Sequence, residues 1–268
     1  MKIGNKEFAT REHTYVMGIL NVTPDSFSDG GSYLTLDAAL MQTEKMIKDG
    51  ADIIDIGGES TRPGATPISV EEEIERVIPF VEGIKARFDV PISLDTYKSQ
   101  VAESGVKAGV DMINDVWGLK YDPKMAEVIA KSGVCCCLMH NRNDIAYNSF
   151  FADMKEDLWN SVNMAIQEGV SYDKIIIDPG VGFAKEYAQN LQILQRLDEF
   201  KILGYPIMLG TSRKSVIGET LNLPVDMRLN GTLATTAIAV MKGVSFVRVH
   251  DVKENVEVIK MIEAVLKA

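Results

Sequence analysis

Eight short apolar runs recur along the chain, at residues 15–20, 52–56, 91–94, 111–114, 134–139, 174–177, 206–209 and 245–249, with helix-like stretches between them. The clearest is KIIIDPGVGF at 174–183, where Ile175, Ile176 and Ile177 show no polar alternation. Such a strand is buried on both faces, as in a parallel sheet covered by helices. It ends at Asp178, and Pro179 and Gly180 then turn the chain outward, which puts the carboxylate at the strand's carboxyl end. Asp178 by itself reads equally well as a cap on that turn.

Helical stretches stop on Gly50, Gly109, Gly133, Gly169, Gly204 and Gly243, each a few residues before the next run. Asp89, Val90 and Pro91 make the stop between the second and third units, and DGADIID (49–55) echoes AGVDMIN (108–114). Ser69 and Glu72 have the spacing of a capping box for a helix reaching Phe88, and Asp251 with Glu254 for the last helix, to Lys267. Strict strand–helix alternation over eight units predicts an α/β fold closed as a (β/α)8 TIM barrel. Neither GxGxxG after the first strand nor GxxxxGK[ST] occurs, so the open nucleotide-binding sheets have no fingerprint here. Residues 1–14, with the Gly4–Asn5 turn pair, predict an N-terminal β-hairpin that closes the barrel bottom. No linker-like stretch divides the chain, so 1–268 is expected to be a single domain.

The length, 268 residues, suits one such barrel. No run approaches the roughly 18 apolar residues of a membrane span. Lys2, Lys6, Glu7, Arg11 and Glu12 leave no apolar core for a secretory signal, which points to the cytoplasm. A net charge of −10 speaks against a nucleic-acid partner and requires a local basic patch for any anionic substrate. Cys135, Cys136 and Cys137 are consecutive inside an apolar run, without metal-site spacing. They read as small core residues of a reduced compartment, with a catalytic thiol as the alternative.

The carboxyl ends of the runs carry Asn21, the stretch from Glu59 to Arg62, Asp95, Asn114, His140, Asp178, the stretch from Ser212 to Lys214, and Arg248 with His250. Each has a plain structural reading alone, but so many charges on one barrel mouth must be paired by a ligand or by each other. Asp95, Asn114 and Asp178 suit a flat heterocycle with amino and ring NH donors. Thr61, Arg62, Arg248 and His250 are donors and Asn21 an oxygen ligand, a set suited to a diphosphate with magnesium.

The motifs MGILNVTPDSFSDGG (17–31), GGESTRPGA (57–65), SLDTYK (93–98), IND (113–115), DPGVGF (178–183), SRK (212–214) and VRVH (247–250) resemble, in order, those of the dihydropteroate synthase family. The resemblance implies a (β/α)8 enzyme that condenses 6-hydroxymethyl-7,8-dihydropterin diphosphate with p-aminobenzoate in folate biosynthesis, a cytoplasmic transferase and sulfonamide target. By position it makes Asp95, Asn114, Asp178 and Lys214 pterin contacts, and Thr61, Arg62, Arg248 and His250 diphosphate contacts. Asn21 becomes the Mg2+ ligand, and Pro63, Phe183, Ser212 and Arg213 border p-aminobenzoate. Asp95, Lys214, Arg248 and His250 are the implied catalytic set. After Phe183 the chain reads AKEYAQN, departing at Ala184, Glu186 and Gln189 from the family's frequent GKT and later His.

The chemistry implied is a dissociative displacement without a protein nucleophile, since an aromatic amine is already neutral at pH 7. A methyl-transferring pterin barrel would share Asp95, Asn114 and Asp178 but has no use for diphosphate donors, and a non-catalytic pterin-binding barrel is a third reading. The stretch RLNGTLATTAIAVM (228–241) has few polar residues on any side, which predicts a homodimer that buries one face of it.

Overall fold

The computed structural model describes residues 1–23, 35–60 and 66–268. Two short strands, β1 (Lys2–Ile3) and β2 (Lys6–Glu7), form an antiparallel hairpin. Eight parallel strands follow: β3 (Tyr15–Asn21), β4 (Ile53–Gly57), β5 (Ile92–Asp95), β6 (Met112–Asp115), β7 (Cys135–Met139), β8 (Ile175–Asp178), β9 (Met208–Leu209) and β10 (Phe246–Val249). They pair in the order β8-β7-β6-β5-β4-β3-β10-β9, and a parallel bridge from Ile177 to Ile207 joins the two ends into a barrel. Each predicted run therefore coincides with a strand, and alternation with helices does dictate parallel pairing.

The helices are α1 (Leu36–Asp49), α2 (Val70–Arg87), α3 (Ser99–Ala108), α4 (Met125–Ser132), α5 (Phe150–Gln167), α6 (Tyr187–Gln195), α7 (Ser215–Leu221), α8 (Leu229–Met241) and α9 (Val252–Leu266). Two of them, α7 and α8, fill the last crossover. All six predicted glycine stops are left-handed, with φ from 65° at Gly243 to 106° at Gly109.

The expected helix starts need correction. Ser69 Oγ accepts from the Glu72 amide at 3.1 Å, but the Glu72 carboxylate pairs with Arg76 instead of reaching back, so half of the box forms. Asp251 makes no capping bond, because its carboxylate takes the Arg213 guanidinium through Nη2 at 2.6 Å and Nε at 3.1 Å. A charge-assisted fork outcompetes a neutral amide for the same oxygens.

Side chains alternate between two apolar layers. Met17, Ile53, Met112, Cys135, Cys137, Ile176, Met208 and Phe246 point into the barrel, while Val16, Ile54, Ile113 and Cys136 pack beneath the helices. The cysteine run thus spans both layers, and burial pushes its thiols up, Cys135 to about 11. The expected N-terminal hairpin is present, and Ile3 and Phe8 are buried against the inner layer, with Phe8 5.7 Å from Phe246 between ring centroids. The echoed segments also have a physical cause. Asp52 and Asp111 each accept the amide of the neighbouring strand, Val16 N and Ile92 N, both at 2.9 Å, and each pairs with a lysine, Lys6 or Lys85. No helix among the described residues is long and apolar enough to cross a membrane.

Candidate active site

The inward positions one step above the apolar layer are polar. Asp55 follows Ile53 by two residues, Asn114 follows Met112, Asp178 follows Ile176 and Arg248 follows Phe246, while Ser93 and Asp95 take the same face of β5. Asp55, Asp95, Asn114 and Asp178 are all buried, with at most 5% of their surface exposed. Arg248 donates from Nε to Asp55 Oδ2 at 2.5 Å and from Nη2 to Asp95 Oδ2 at 2.7 Å. The Asn114 amide reaches the same Asp55 oxygen at 3.4 Å.

This knot leaves acceptors over. Asp55 Oδ1, Asp95 Oδ1 and Ser93 Oγ are buried without a hydrogen-bond partner among the described residues. Buried polar atoms in native proteins nearly always have partners, so this concentration marks where ligand donors belong. Burial, opposed by Arg248, pushes the Asp95 carboxyl up to about 7. Arg248 is held above its usual range by Asp55 and Asp95 against the opposing effect of burial.

Asp178 resolves its two readings with its two oxygens. Oδ1 accepts the Gly180 amide at 2.7 Å and caps the turn. Oδ2 lies 3.8 Å from where a Cβ on Gly210 would stand, and Lys214 Nζ lies 4.0 Å from the same point. Gly210 therefore leaves open the space between a carboxylate and an ammonium. Lys214 donates to the Val181 carbonyl at 2.5 Å and sits 4.7 Å from the Phe183 ring centroid; burial, opposed by Asp178, lowers its pKa to about 8. Across the mouth, Asn21 Oδ1 and Asp95 Oδ2 converge over Gly57, each 3.8 Å from its would-be Cβ.

Ser212 Oγ is 2.9 Å from His250 Nδ1 and accepts the His250 amide at 3.2 Å, which ties the end of β10 to the loop after β9. Arg213, whose backbone is left-handed at φ 58°, turns its guanidinium to Asp251. Phe183 packs with Tyr97, Val116, Trp117 and Met139. Thr61, Arg62 and Pro63 lie outside the described residues.

Of the residues singled out in the sequence, Asp95 joins Arg248 directly and Asn114 joins it through Asp55, while Asp178 and Lys214 stand with Arg248 around Gly210. Asn21 stands with Asp95 at Gly57, and Phe183 lies against Lys214. Strand-end inspection missed Asp55, because it stands mid-strand. An aspartate flanked by Ile54 and Ile56, on the face that carries Ile53, was the available signal. Lys185 was missed as well. Its side-chain nitrogen lies 2.9 Å from the Gly180 carbonyl, 2.7 Å from the Phe183 carbonyl and 2.9 Å from His140 Nδ1.

A parallel barrel with this acceptor set and flanking cations at its carboxyl-terminal mouth defines a heterocycle-binding enzyme, and the sequence profile of the pterin binding enzyme family matches residues 17–250. The chain is 54% identical over 268 residues to the dihydropteroate synthase of Clostridium beijerinckii, covering all of both chains. It superposes with a TM-score of 0.94 and 50% identity on the Clostridium difficile dihydropteroate synthase solved in the presence of pteroic acid, covering 98% of this chain and 100% of that one. The Xanthomonas albilineans dihydropteroate synthase with 4-aminobenzoic acid matches with a TM-score of 0.92 and 40% identity, over 96% and 94% of the two chains. The chain belongs to the dihydropteroate synthase family.

Proposed function

We propose that this barrel condenses 6-hydroxymethyl-7,8-dihydropterin diphosphate with p-aminobenzoate, giving 7,8-dihydropteroate and diphosphate. The observation that carries the reading is the cluster of partnerless buried acceptors, Asp55 Oδ1 and Asp95 Oδ1, beside Asn114 and Asp178. A pterin ring offers amino and ring NH donors in one plane, and carboxylates take such donors strongly in a buried site. Asp95, Asn114, Asp178 and Lys214 are its contacts in this reading.

Thr61, Arg62, Arg248 and His250 hold the diphosphate. Arg248 uses two of its five N–H donors on Asp55 and Asp95 and keeps others for a phosphate oxygen. As negative charge grows on the departing diphosphate, these cations stabilise it, while Asp95 faces the positive charge left on the pterin methylene. Pro63, Phe183, Ser212 and Arg213 border the amine, which needs positioning rather than deprotonation.

For magnesium, the chemistry of the donors fits. Among the described residues no group of three His, Cys, Asp or Glu could hold a metal, and Mg2+ typically takes one or two protein oxygens and completes its shell with water and substrate phosphates. Asn21 Oδ1, converging with Asp95 over Gly57, would be that oxygen. When bound, the ion would draw charge from the leaving diphosphate.

The reading extends to one domain over 1–268 acting as a homodimer in the reducing cytoplasm. Supporting it are apolar side chains exposed on the adjoining α8 and α9, Met241 at 64% and Met261 at 63%, and three free buried cysteines. Incubation with the pterin diphosphate, Mg2+ and p-aminobenzoate should release diphosphate only when the amine is present. Release without the amine, or none at all, sinks the synthase reading.

A further inference from the structure

Lys185 stands in the loop after β8, where burial pushes its pKa well down, opposed by Asp178, and its side-chain nitrogen is surrounded by acceptors. Besides the Gly180 and Phe183 carbonyls, it has both His140 Nδ1 at 2.9 Å and the His140 carbonyl at 3.5 Å. His140 in turn bonds Asp157 through Nε2 at 3.0 Å, and Asp157 takes Arg142 Nε at 2.5 Å. Hydrogen-bond chemistry fixes the tautomer. The Asp157 carboxylate only accepts, so the His140 proton sits on Nε2 and Nδ1 faces the Lys185 nitrogen. Burial, which pushes the His140 pKa down to about 4, agrees.

The knot leaves little freedom at the end of β8. A Cβ on Gly180 would stand 2.1 Å from the His140 carbonyl oxygen, so the two loops are in direct backbone contact. Tyr147 adds a bond from its hydroxyl to the Ala184 carbonyl at 2.8 Å. Phe183, whose own carbonyl Lys185 holds and which Gly180 and Ala184 flank with anchored carbonyls, has its ring against Lys214.

We propose that Lys185 is a positioning residue for the amine substrate: by tying the Gly180 and Phe183 carbonyls to His140, its side-chain nitrogen sets the Phe183 ring against Lys214. The proposal rests on the reading that Phe183 borders p-aminobenzoate. Met in place of Lys185 keeps the stem and removes the donors.

The test is a double-mutant cycle of Lys185→Met and Phe183→Ala, read in steady-state kinetics. Lys185→Met should raise the KM for p-aminobenzoate about tenfold, with kcat and the KM for the pterin diphosphate within about twofold. In the Phe183→Ala background the same change should add less than about twofold, because residues acting through one another are not additive. An unchanged amine KM in Lys185→Met, or an equal effect in both backgrounds, overturns the inference while Phe183 keeps its place. An unchanged amine KM in Phe183→Ala would instead remove the reading beneath it. If Lys185→Met does not fold, Tyr147→Phe takes its place in the cycle. That variant loses only the bond to the Ala184 carbonyl and should raise the amine KM about threefold, coupled to Phe183 in the same way; no rise overturns the inference.

Discussion

Arg248 and Asp55, 193 residues apart in sequence, are joined by a 2.5 Å hydrogen bond inside the barrel mouth. The other arm of the guanidinium holds Asp95, so one cation serves two buried carboxylates. Arg248→Met would strand both. Breaking a buried pair by removing one partner costs about 3 kcal/mol, and urea unfolding at neutral pH should show a loss of that size. Adding Asp55→Asn should restore part of it, since one unpaired charge disappears. Unchanged stability in the single variant would show that the carboxylates are solvated.

Asp178→Asn should weaken binding of the bare hydroxymethylpterin by about 2 kcal/mol, the scale of a charged hydrogen bond in a buried site. The amide would still cap the Gly180 amide through its oxygen, so the turn survives, but its NH2 would face the ligand's donors. Calorimetry with equal affinity for variant and wild type would remove Asp178 from the ring site.

The pH dependence follows from two shifted groups. Asp95 is raised to about 7, so it loses its acceptor charge as pH falls through that value; Lys214 is lowered to about 8, so it loses its proton as pH rises past it. The kcat/KM for the pterin diphosphate should therefore be bell-shaped, with limbs near those values. Lys214→Arg should move the alkaline limb upward, because a guanidinium stays charged. A flat profile between about pH 6 and 9 would show that neither group controls the free enzyme.

Ala184 has φ 47°, in the left-handed region that favours glycine. Ala184→Gly should stabilise the chain by roughly 1 kcal/mol, because a Cβ is strained in the left-handed region. The measurement is the thermal midpoint, and a lower value would mean that the Tyr147 bond to the Ala184 carbonyl depends on that Cβ.

Exposed apolar residues on α8 and α9 predict a dimer of twice 29.5 kDa, about 59 kDa, in sedimentation. Met241→Lys with Met261→Lys should shift it towards monomer. Monomeric wild-type protein at micromolar concentration would end the dimer proposal.

Strand and helix positions were legible in the sequence because backbone conformation answers to local rules. Three isoleucines in a row can only be buried on both faces, and a helix ending on Gly50 or Gly109 needs a residue that tolerates positive φ. Period two along each strand likewise put Asp95, Asn114 and Asp178 on one face and at one end. What tertiary structure decided is which charges neutralise which. Asp251 has the local form of a helix cap and instead holds Arg213, and Asp55 and Lys185 acquire their roles from partners on other elements. A charge selects its partner by distance in space, through Coulomb attraction and the cost of desolvation, and closing the barrel brings β10 beside β3, the last strand beside the first of the barrel.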